Sequence, residues 1–176
     1  MFCCPERLWY AVRVKSNREW VTAEALRGKN YEVLLPRYRE YRSRGTVSRP
    51  IELPLFPGYL FCRLDVNNRI PVMIVPGVVH IVGIGRAPAP VDPQEMAGVL
   101  AMVESSLDLN PFTYPAVGER VRVEGGPLRG VEGTILAHKG TEKLVVSVSL
   151  LQRSMAVDMD RNWVATPAAA PQSTAY

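Results

Sequence analysis

The fold is decided by the stretch Leu55-Phe56-Pro57-Gly58-Tyr59-Leu60-Phe61, which continues as Cys62-Arg63-Leu64. Aromatic and apolar residues that follow a Pro-Gly pair predict a strand over residues 58–64. Because strand side chains alternate between two faces, one face holds the residues best suited to a core: Leu60, Cys62 and Leu64. Tyr59 and Phe61 share the other face. With Phe56 they either pack in a sheet that is covered on both sides or form an exposed aromatic patch, which is typical of protein contacts.

The elements around this strand predict an α+β domain over residues 1–107. The pattern predicts strands at 8–14, 31–35 and 78–82, helices at 18–29 and 67–75, and a hairpin over 37–53 with Gly45 at its turn. Another helix runs through residue 106, with Asp92 as its cap and Pro93 at its first position. An antiparallel sheet with helices on one face, an α+β sandwich, fits this order.

The second half of the chain has a different character. Residues 108–116 contain two prolines and no periodicity, which predicts a linker. Residues 117–165 alternate short apolar strands with glycine turns, a pattern typical of a small SH3-like β-barrel. Six glycines and Pro127 oppose a helical form of this region, so we expect a β-barrel that tumbles loosely on its linker. Residues 166–176, rich in Ala, Pro, Ser and Thr, are expected to be disordered.

The net charge of the 176-residue chain is +4, and one segment accounts for it. The hairpin region 37–49 holds five arginines and one glutamate. Four of these arginines, all on its first strand, are candidates for binding phosphate: Arg37, Arg39, Arg42 and Arg44. The same charges are equally compatible with a solvated hairpin.

Other kinds of function are disfavoured by what the sequence lacks. No run of about 18 apolar residues indicates a membrane helix, and no signal peptide is apparent, so we expect a cytoplasmic protein with no membrane contact. Three cysteines and two histidines at these spacings favour neither a disulfide framework nor a metal site. The sequence has no phosphate loop, nucleophile elbow or paired-histidine motif, so we expect neither an enzyme nor a cofactor.

Taken in order, these motifs resemble the NusG family of transcription elongation factors. The Phe-Pro-Gly-Tyr run at 56–59 is similar to that family's N-terminal signature, and Val75-Pro76-Gly77-Val78 follows where the family has it. Residues 117–123 and 126–133 are similar to its KOW motif. The resemblance covers roughly residues 8–164 and implies a monomeric, non-enzymatic adaptor.

The resemblance also implies partners. It implies that Phe56, Pro57, Tyr59 and Phe61 form an exposed patch that grips the clamp helices of RNA polymerase. The arginine hairpin would lie beside non-template DNA or the upstream duplex of the transcription bubble. The KOW tips would recruit Rho or a small-subunit ribosomal protein through four residues: Leu128, Leu150, Leu151 and Arg153. Counting along the strand that ends near Leu150 places Leu151 on the polar face with Ser147 and Ser149, so it is expected to be exposed, unless the turn breaks this alternation and buries it. Leu128, at the tip of a glycine turn, is also expected to be exposed.

Two alternatives remain open on the residues alone. A ribosomal-type KOW protein that binds RNA would be strongly basic, whereas residues 117–164 hold seven basic and six acidic residues. Within the family, the arginine-rich hairpin, the compact length and the altered KOW tips favour an operon-specific paralogue, of the RfaH or polysaccharide-cluster type, over a housekeeping NusG.

Overall fold

The computed structural model describes residues 7–44, 47–112, 118–138 and 141–164, with the backbone alone at 42–44, 47–48, 137–138, 141 and 161. The elements up to residue 104 are β1 (Leu8–Val14), α1 (Glu19–Arg27), β2 (Glu32–Leu34), β3 (Arg37–Arg44), β4 (Val47–Pro54), β5 (Tyr59–Leu64), a 3-10 turn (Val66–Asn68), α2 (Ile70–Met73), β6 (Val78–Ile81), β7 (Gly83–Ile84), β8 (Ala87–Pro88) and α3 (Pro93–Glu104). Those that follow are β9 (Leu109–Phe112), β10 (Glu119–Arg122), a 3-10 turn (Gly126–Leu128), β11 (Glu132–His138), β12 (Thr141–Val148), a 3-10 turn (Ser149–Leu151), β13 (Arg153–Met159) and a 3-10 turn (Arg161–Trp163).

The N-terminal sheet is antiparallel, in the order β2-β5-β1-β6. On one face the predicted core residues of β5 pack in a cluster with Leu26 of α1 and Val72 of α2. On the other face Phe61 packs in a second cluster with Met96 and Val99 of α3. The sheet is therefore covered on both sides, which places helices on both faces rather than on one.

Helix α3 begins as the sequence predicts. The Asp92 carboxylate accepts hydrogen bonds from the backbone N–H groups of Gln94 at 2.8 Å and Glu95 at 3.1 Å, and Pro93 occupies the first turn. Two N–H groups that lack partners inside the helix are thereby satisfied, so the predicted cap is confirmed.

Strands β3 and β4 form a separate two-stranded hairpin, paired from Arg37↔Pro54 to Arg44↔Val47. The hairpin is the one predicted, and its predicted turn at Gly45 lies outside the described residues.

The C-terminal sheet is antiparallel, in the order β10-β11-β12-β13-β9. Its strand β9 falls in the segment predicted to be a linker, where Leu109 pairs with Val157 and Pro111 with Met155. Proline lacks an N–H group and is tolerated here because β9 is an edge strand. The predicted disordered tail lies outside the described residues.

The C-terminal sheet packs against the N-terminal half of the chain. One hydrophobic cluster joins Phe61 and Val99 to Val146 and Met155 of the C-terminal sheet. Gly98 of α3 permits this approach, because a Cβ atom built on it would lie 3.0 Å from Cγ1 of Val146. The expectation of a loosely tumbling domain is therefore wrong: apolar surface on both halves is buried by their contact. Within the described residues, no helix combines the length and the apolar character that a membrane crossing requires.

Candidate functional site

The Phe-Pro-Gly-Tyr turn is held by a buried carboxylate. Gly58 has a φ of +79°, and a Cβ atom there would lie 2.9 Å from Nη1 of Arg13, so only glycine fits without strain. Its N–H group donates a hydrogen bond of 2.9 Å to Oε1 of Glu19, whose exposed fraction is 4%. Helix α1 therefore positions the turn that begins β5.

The aromatic patch that the sequence predicted to be exposed is largely buried. Phe56 and Phe61 meet edge to face with their ring centroids 5.5 Å apart, and their exposed fractions are 1% and 0%. Tyr59 is half-buried, and Pro57 is exposed. The exposure expected for Phe56 and Phe61 is wrong because helix α3 and the C-terminal sheet cover this face of β5.

Tyr59 lies where the two halves of the chain meet. The guanidinium carbon of Arg13 lies 4.7 Å from the centroid of its ring, and that of Arg153 lies 5.5 Å away. Both distances are within the range of cation–π attraction. Arg153, predicted as a residue that binds a partner, is therefore brought against a residue of the predicted polymerase patch.

A second polar contact joins helix α3 to the C-terminal sheet. The Glu95 carboxylate accepts hydrogen bonds from the backbone N–H of Ser149, at 3.1 Å, and from the Ser149 hydroxyl. Sequence reasoning missed Glu95, because a glutamate in the first turn of a helix is expected in any case from the helix dipole. No local signal identifies its partner 54 residues away.

The predicted KOW tip residues are mostly covered. Leu128 is fully buried and Leu151 is 9% exposed, which corrects the expectation that both are exposed. The 3-10 turn Ser149–Leu151 breaks the alternation of β12, and Gln152 follows it with a left-handed φ of +51°. Leu150 and Arg153 are half-buried, and the turn that carries Leu128 contacts α3.

The arginine hairpin presents part of the predicted basic surface. Arg37 donates to Oε2 of Glu52 at 2.8 Å, and Nε of Arg39 lies 3.8 Å from Oε1 of the same carboxylate. Both side chains are exposed: 49% of the Arg37 side chain and 68% of the Arg39 side chain are accessible to solvent. The side chains of Arg42 and Arg44 lie outside the described residues.

Cys62 lies on the buried face of β5, beneath helix α1. Its exposed fraction is 0%, and burial raises the pKa of its thiol to about 12. A thiol with so high a pKa is a packing residue rather than a nucleophile. Among the described residues, no group of three His, Cys, Asp or Glu side chains is placed to hold a metal ion.

Comparisons with known proteins agree with these motifs. Residues 7–100 match the family model described as "Transcription termination factor nusG". The chain is 30% identical to the Transcription termination/antitermination protein NusG of Vibrio vulnificus over 89% of this chain and 93% of that protein. It is 29% identical to the protein of the same name from Thermus thermophilus, over 86% and 94% of the two chains.

A solved structure supports the fold. The chain resembles the one described as "Domain interaction in Thermotoga maritima NusG", with a TM-score of 0.54 and 23% identity over 90% of this chain and 96% of that one. The motifs, the mixed architecture of helices and antiparallel sheets, and the family match lead to one conclusion. The chain belongs to the NusG family of transcription termination and antitermination factors.

Proposed function

We propose that this chain is a transcription elongation factor that binds RNA polymerase through the aromatic patch of Phe56, Pro57, Tyr59 and Phe61. The observation that carries the proposal is the buried aromatic pair on a glycine turn that Glu19 holds in place. The patch acts by binding and needs no cofactor. Preorganised aromatic anchors supply much of the affinity of protein interfaces.

Binding requires the C-terminal sheet to move away first. Phe61 is fully buried and cannot touch a partner while the sheet lies over it. The polar links across the boundary include the hydrogen bonds between Glu95 and Ser149 and the contact between Arg153 and Tyr59. The open state is opposed by these links and by the apolar contact between the halves, and each half keeps its own sheet when they part.

The same movement would release the second binding site. Leu128, Leu150, Leu151 and Arg153 belong to the proposed KOW barrel and would bind Rho or a small-subunit ribosomal protein. The turn that carries Leu128 contacts helix α3, and Ser149, in the same 3-10 turn as Leu151, bonds to Glu95 of that helix, so movement of α3 would free both turns. Engagement of polymerase by the first domain therefore favours recruitment by the second, since both partners select the open state.

The test is affinity for core RNA polymerase, measured with the full chain by biolayer interferometry. Tyr59→Ala should weaken binding at least tenfold, because truncation of an interface hot spot costs about 2 kcal/mol or more. Tyr31→Ala, which removes a half-buried tyrosine from the opposite face of the N-terminal sheet, is the matched control. Equal affinity of Tyr59→Ala and the unmodified chain would refute the assignment.

A further inference from the structure

A cleft runs along the boundary between helix α3 and the C-terminal sheet. It encloses a cavity of about 340 Å³. Ala97, Gly98 and Ala101 of α3 form one wall, and residues of β10, β11 and the segment between them form the other. Both halves of the chain therefore build this cavity, and its volume is within the range of small-molecule sites.

The helix wall of the cleft is apolar and made of short side chains. Ala97 and Ala101 lie four residues apart on one face of α3, and the buried Val131 faces them from the C-terminal sheet. Short side chains leave room for a flat ring, which apolar groups can hold by contact with its faces.

Gln94, one turn before Ala97, adds a polar group to the same wall. Its side chain is exposed, and its amide makes no hydrogen bond with any residue that the structure describes. A side-chain amide both donates and accepts hydrogen bonds, which suits the edge of a nucleobase.

The opposite wall carries two arginines. Arg122 ends β10, and Arg129 follows the 3-10 turn that contains Leu128. Both are exposed, and within the described residues neither side chain has an ion pair or a hydrogen bond. Glu132 stands opposite Arg122 in the strand ladder without pairing with it. Two guanidinium groups against one carboxylate leave this wall positive, and guanidinium groups bind phosphate oxygens through paired hydrogen bonds.

A second cavity, of about 460 Å³, adjoins the first and shares Gln94 and Glu132 with it. Its lining sets Arg120 against the carboxylates of Asp92 and Glu95 as well as that of Glu132. The excess of carboxylates disfavours an anion there. The cavity beside Arg122 is therefore the better anion site of the two.

We propose that this cleft binds a nucleoside monophosphate. Its phosphate lies between Arg122 and Arg129, and its base lies against Ala97 and Ala101 with an edge on the Gln94 amide. Because one wall belongs to each half of the chain, the ligand fits the closed arrangement and favours it over the open one. The binding site goes beyond the proposed function, and only its effect on polymerase rests on that function.

The experiment measures binding of adenosine 5′-monophosphate and guanosine 5′-monophosphate to the full chain by isothermal titration calorimetry at low salt. Inorganic phosphate and adenosine are the fragment probes. Each fragment should bind at least about tenfold more weakly than the nucleotide, because it occupies only one part of the cleft.

The variants test each wall of the cleft. Arg122→Gln and Arg129→Gln should each weaken nucleotide binding by about 10- to 150-fold, the range for hydrogen bonds to a charged group. Arg86→Gln removes the same charge from an exposed position outside the cleft and is the matched control. Ala97→Leu fills the cleft without a change of charge and should abolish binding. Unchanged melting temperatures without ligand establish that each variant is folded.

A second measurement tests the link to opening. At ten times its Kd, the nucleotide should lower the affinity of the unmodified chain for core polymerase by about tenfold, because it binds the closed state alone. The same concentration should leave the polymerase affinity of Arg122→Gln nearly unchanged, which controls for any action of the nucleotide on polymerase itself.

Several results would overturn the inference. If inorganic phosphate binds as tightly as the nucleotide and Ala97→Leu has no effect, the arginines hold an anion on an open surface with no place for a base. Equal affinities of Arg122→Gln, Arg129→Gln and the unmodified chain would place the nucleotide elsewhere. A bound nucleotide that leaves polymerase affinity unchanged would contradict its preference for the closed state. Calorimetry involves no polymerase, and Tyr59→Ala is measured without nucleotide, so the two proposals fail separately.

Discussion

The guanidinium carbon of Arg153 lies 5.5 Å from the centroid of the Tyr59 ring, and Arg13 approaches the same ring at 4.7 Å. Tyr59 belongs to the proposed polymerase surface and Arg153 to the proposed surface for a second partner. In this closed arrangement the two proposed binding surfaces therefore contact each other. Under the proposed function, external partners compete with this internal contact, and their affinities depend on how often the molecule opens.

The two aromatic residues of β5 should respond differently to truncation. Phe61→Ala is expected to lower the free energy of unfolding by about 3–5 kcal/mol, because its fully buried ring leaves a cavity. Tyr59→Ala, at a half-buried position, should cost markedly less. Urea unfolding followed by circular dichroism measures both. Equal losses would show that Tyr59 is a structural residue, and its effect on polymerase affinity would then need another cause.

Gly77 should be hard to replace, because both its backbone conformation and its surroundings oppose a side chain. It has a φ of +103°, and a Cβ atom there would lie 2.2 Å from Oγ1 of Thr22, a fully buried side chain. Gly77→Ala is expected to cost about 3 kcal/mol or more, since it adds a steric clash to a backbone penalty of about 1–2 kcal/mol.

The matched control for this change is Gly85→Ala. Gly85 has a φ of +63° with no atom within 4 Å of a Cβ, so it should lose only the backbone penalty. Thermal unfolding of both variants measures the difference. A Gly85→Ala variant as unstable as Gly77→Ala would mean that the contact with Thr22 contributes nothing.

Much of this architecture follows from sequence patterns, because those patterns are local. Alternation in β5 correctly separates Leu60 and Cys62 from Phe61, and Asp92-Pro93 correctly marks the start of α3. Alternation states that two residues share a face but says nothing of what covers it. The C-terminal sheet over Phe61 comes from a contact between segments far apart in sequence, which no local period encodes.

Two local patterns also misled in instructive ways. The prolines near β9 indicated a linker, although an edge strand accommodates Pro111. Leu151 was assigned to an exposed face by counting along β12, but the 3-10 turn after Val148 changes the direction of the chain and buries it. Periodicity is reliable within an element and fails at its end.

Cys62 provides a prediction about pH. Burial raises the pKa of its thiol to about 12 in the folded chain, whereas the pKa of a cysteine thiol in an unfolded chain is about 8.5. Below that value both states keep the proton and pH has no effect through this group. Above it the unfolded state alone loses the proton, so the free energy of unfolding should fall, by about 2 kcal/mol between pH 8 and 10.

The measurement compares urea unfolding of the unmodified chain and Cys62→Val across this range. The variant fills a similar volume without a titrating group, and its stability should fall less steeply with pH. As a second check, in a Cys3→Ser, Cys4→Ser background the remaining thiol should react with a thiol reagent only under unfolding conditions. Parallel pH profiles, or rapid labelling of the folded chain, would contradict the burial of this thiol.

Gly98 offers a direct way to hold the two halves apart. A Cβ atom there would lie 3.0 Å from Cγ1 of Val146 and 3.6 Å from Cγ1 of Val131, so Gly98→Leu would drive a side chain into the C-terminal sheet. Overpacking of this kind costs about 1–3 kcal/mol, whereas glycine is unfavourable within a helix and its replacement stabilises α3 itself. The strain therefore acts on the contact between the halves and leaves the helix intact. About 1.4 kcal/mol is a tenfold change in an equilibrium, so the open population should rise about tenfold. The affinity for core polymerase should rise with it as long as the closed state dominates.

Ala97→Leu, one residue away on an exposed part of the same helix, is the control and should change neither the open population nor the affinity. Small-angle scattering reports the opening through a larger radius of gyration, and interferometry reports the affinity. An opened Gly98→Leu variant that binds polymerase no more tightly than the unmodified chain would show that the C-terminal sheet does not occlude the aromatic patch.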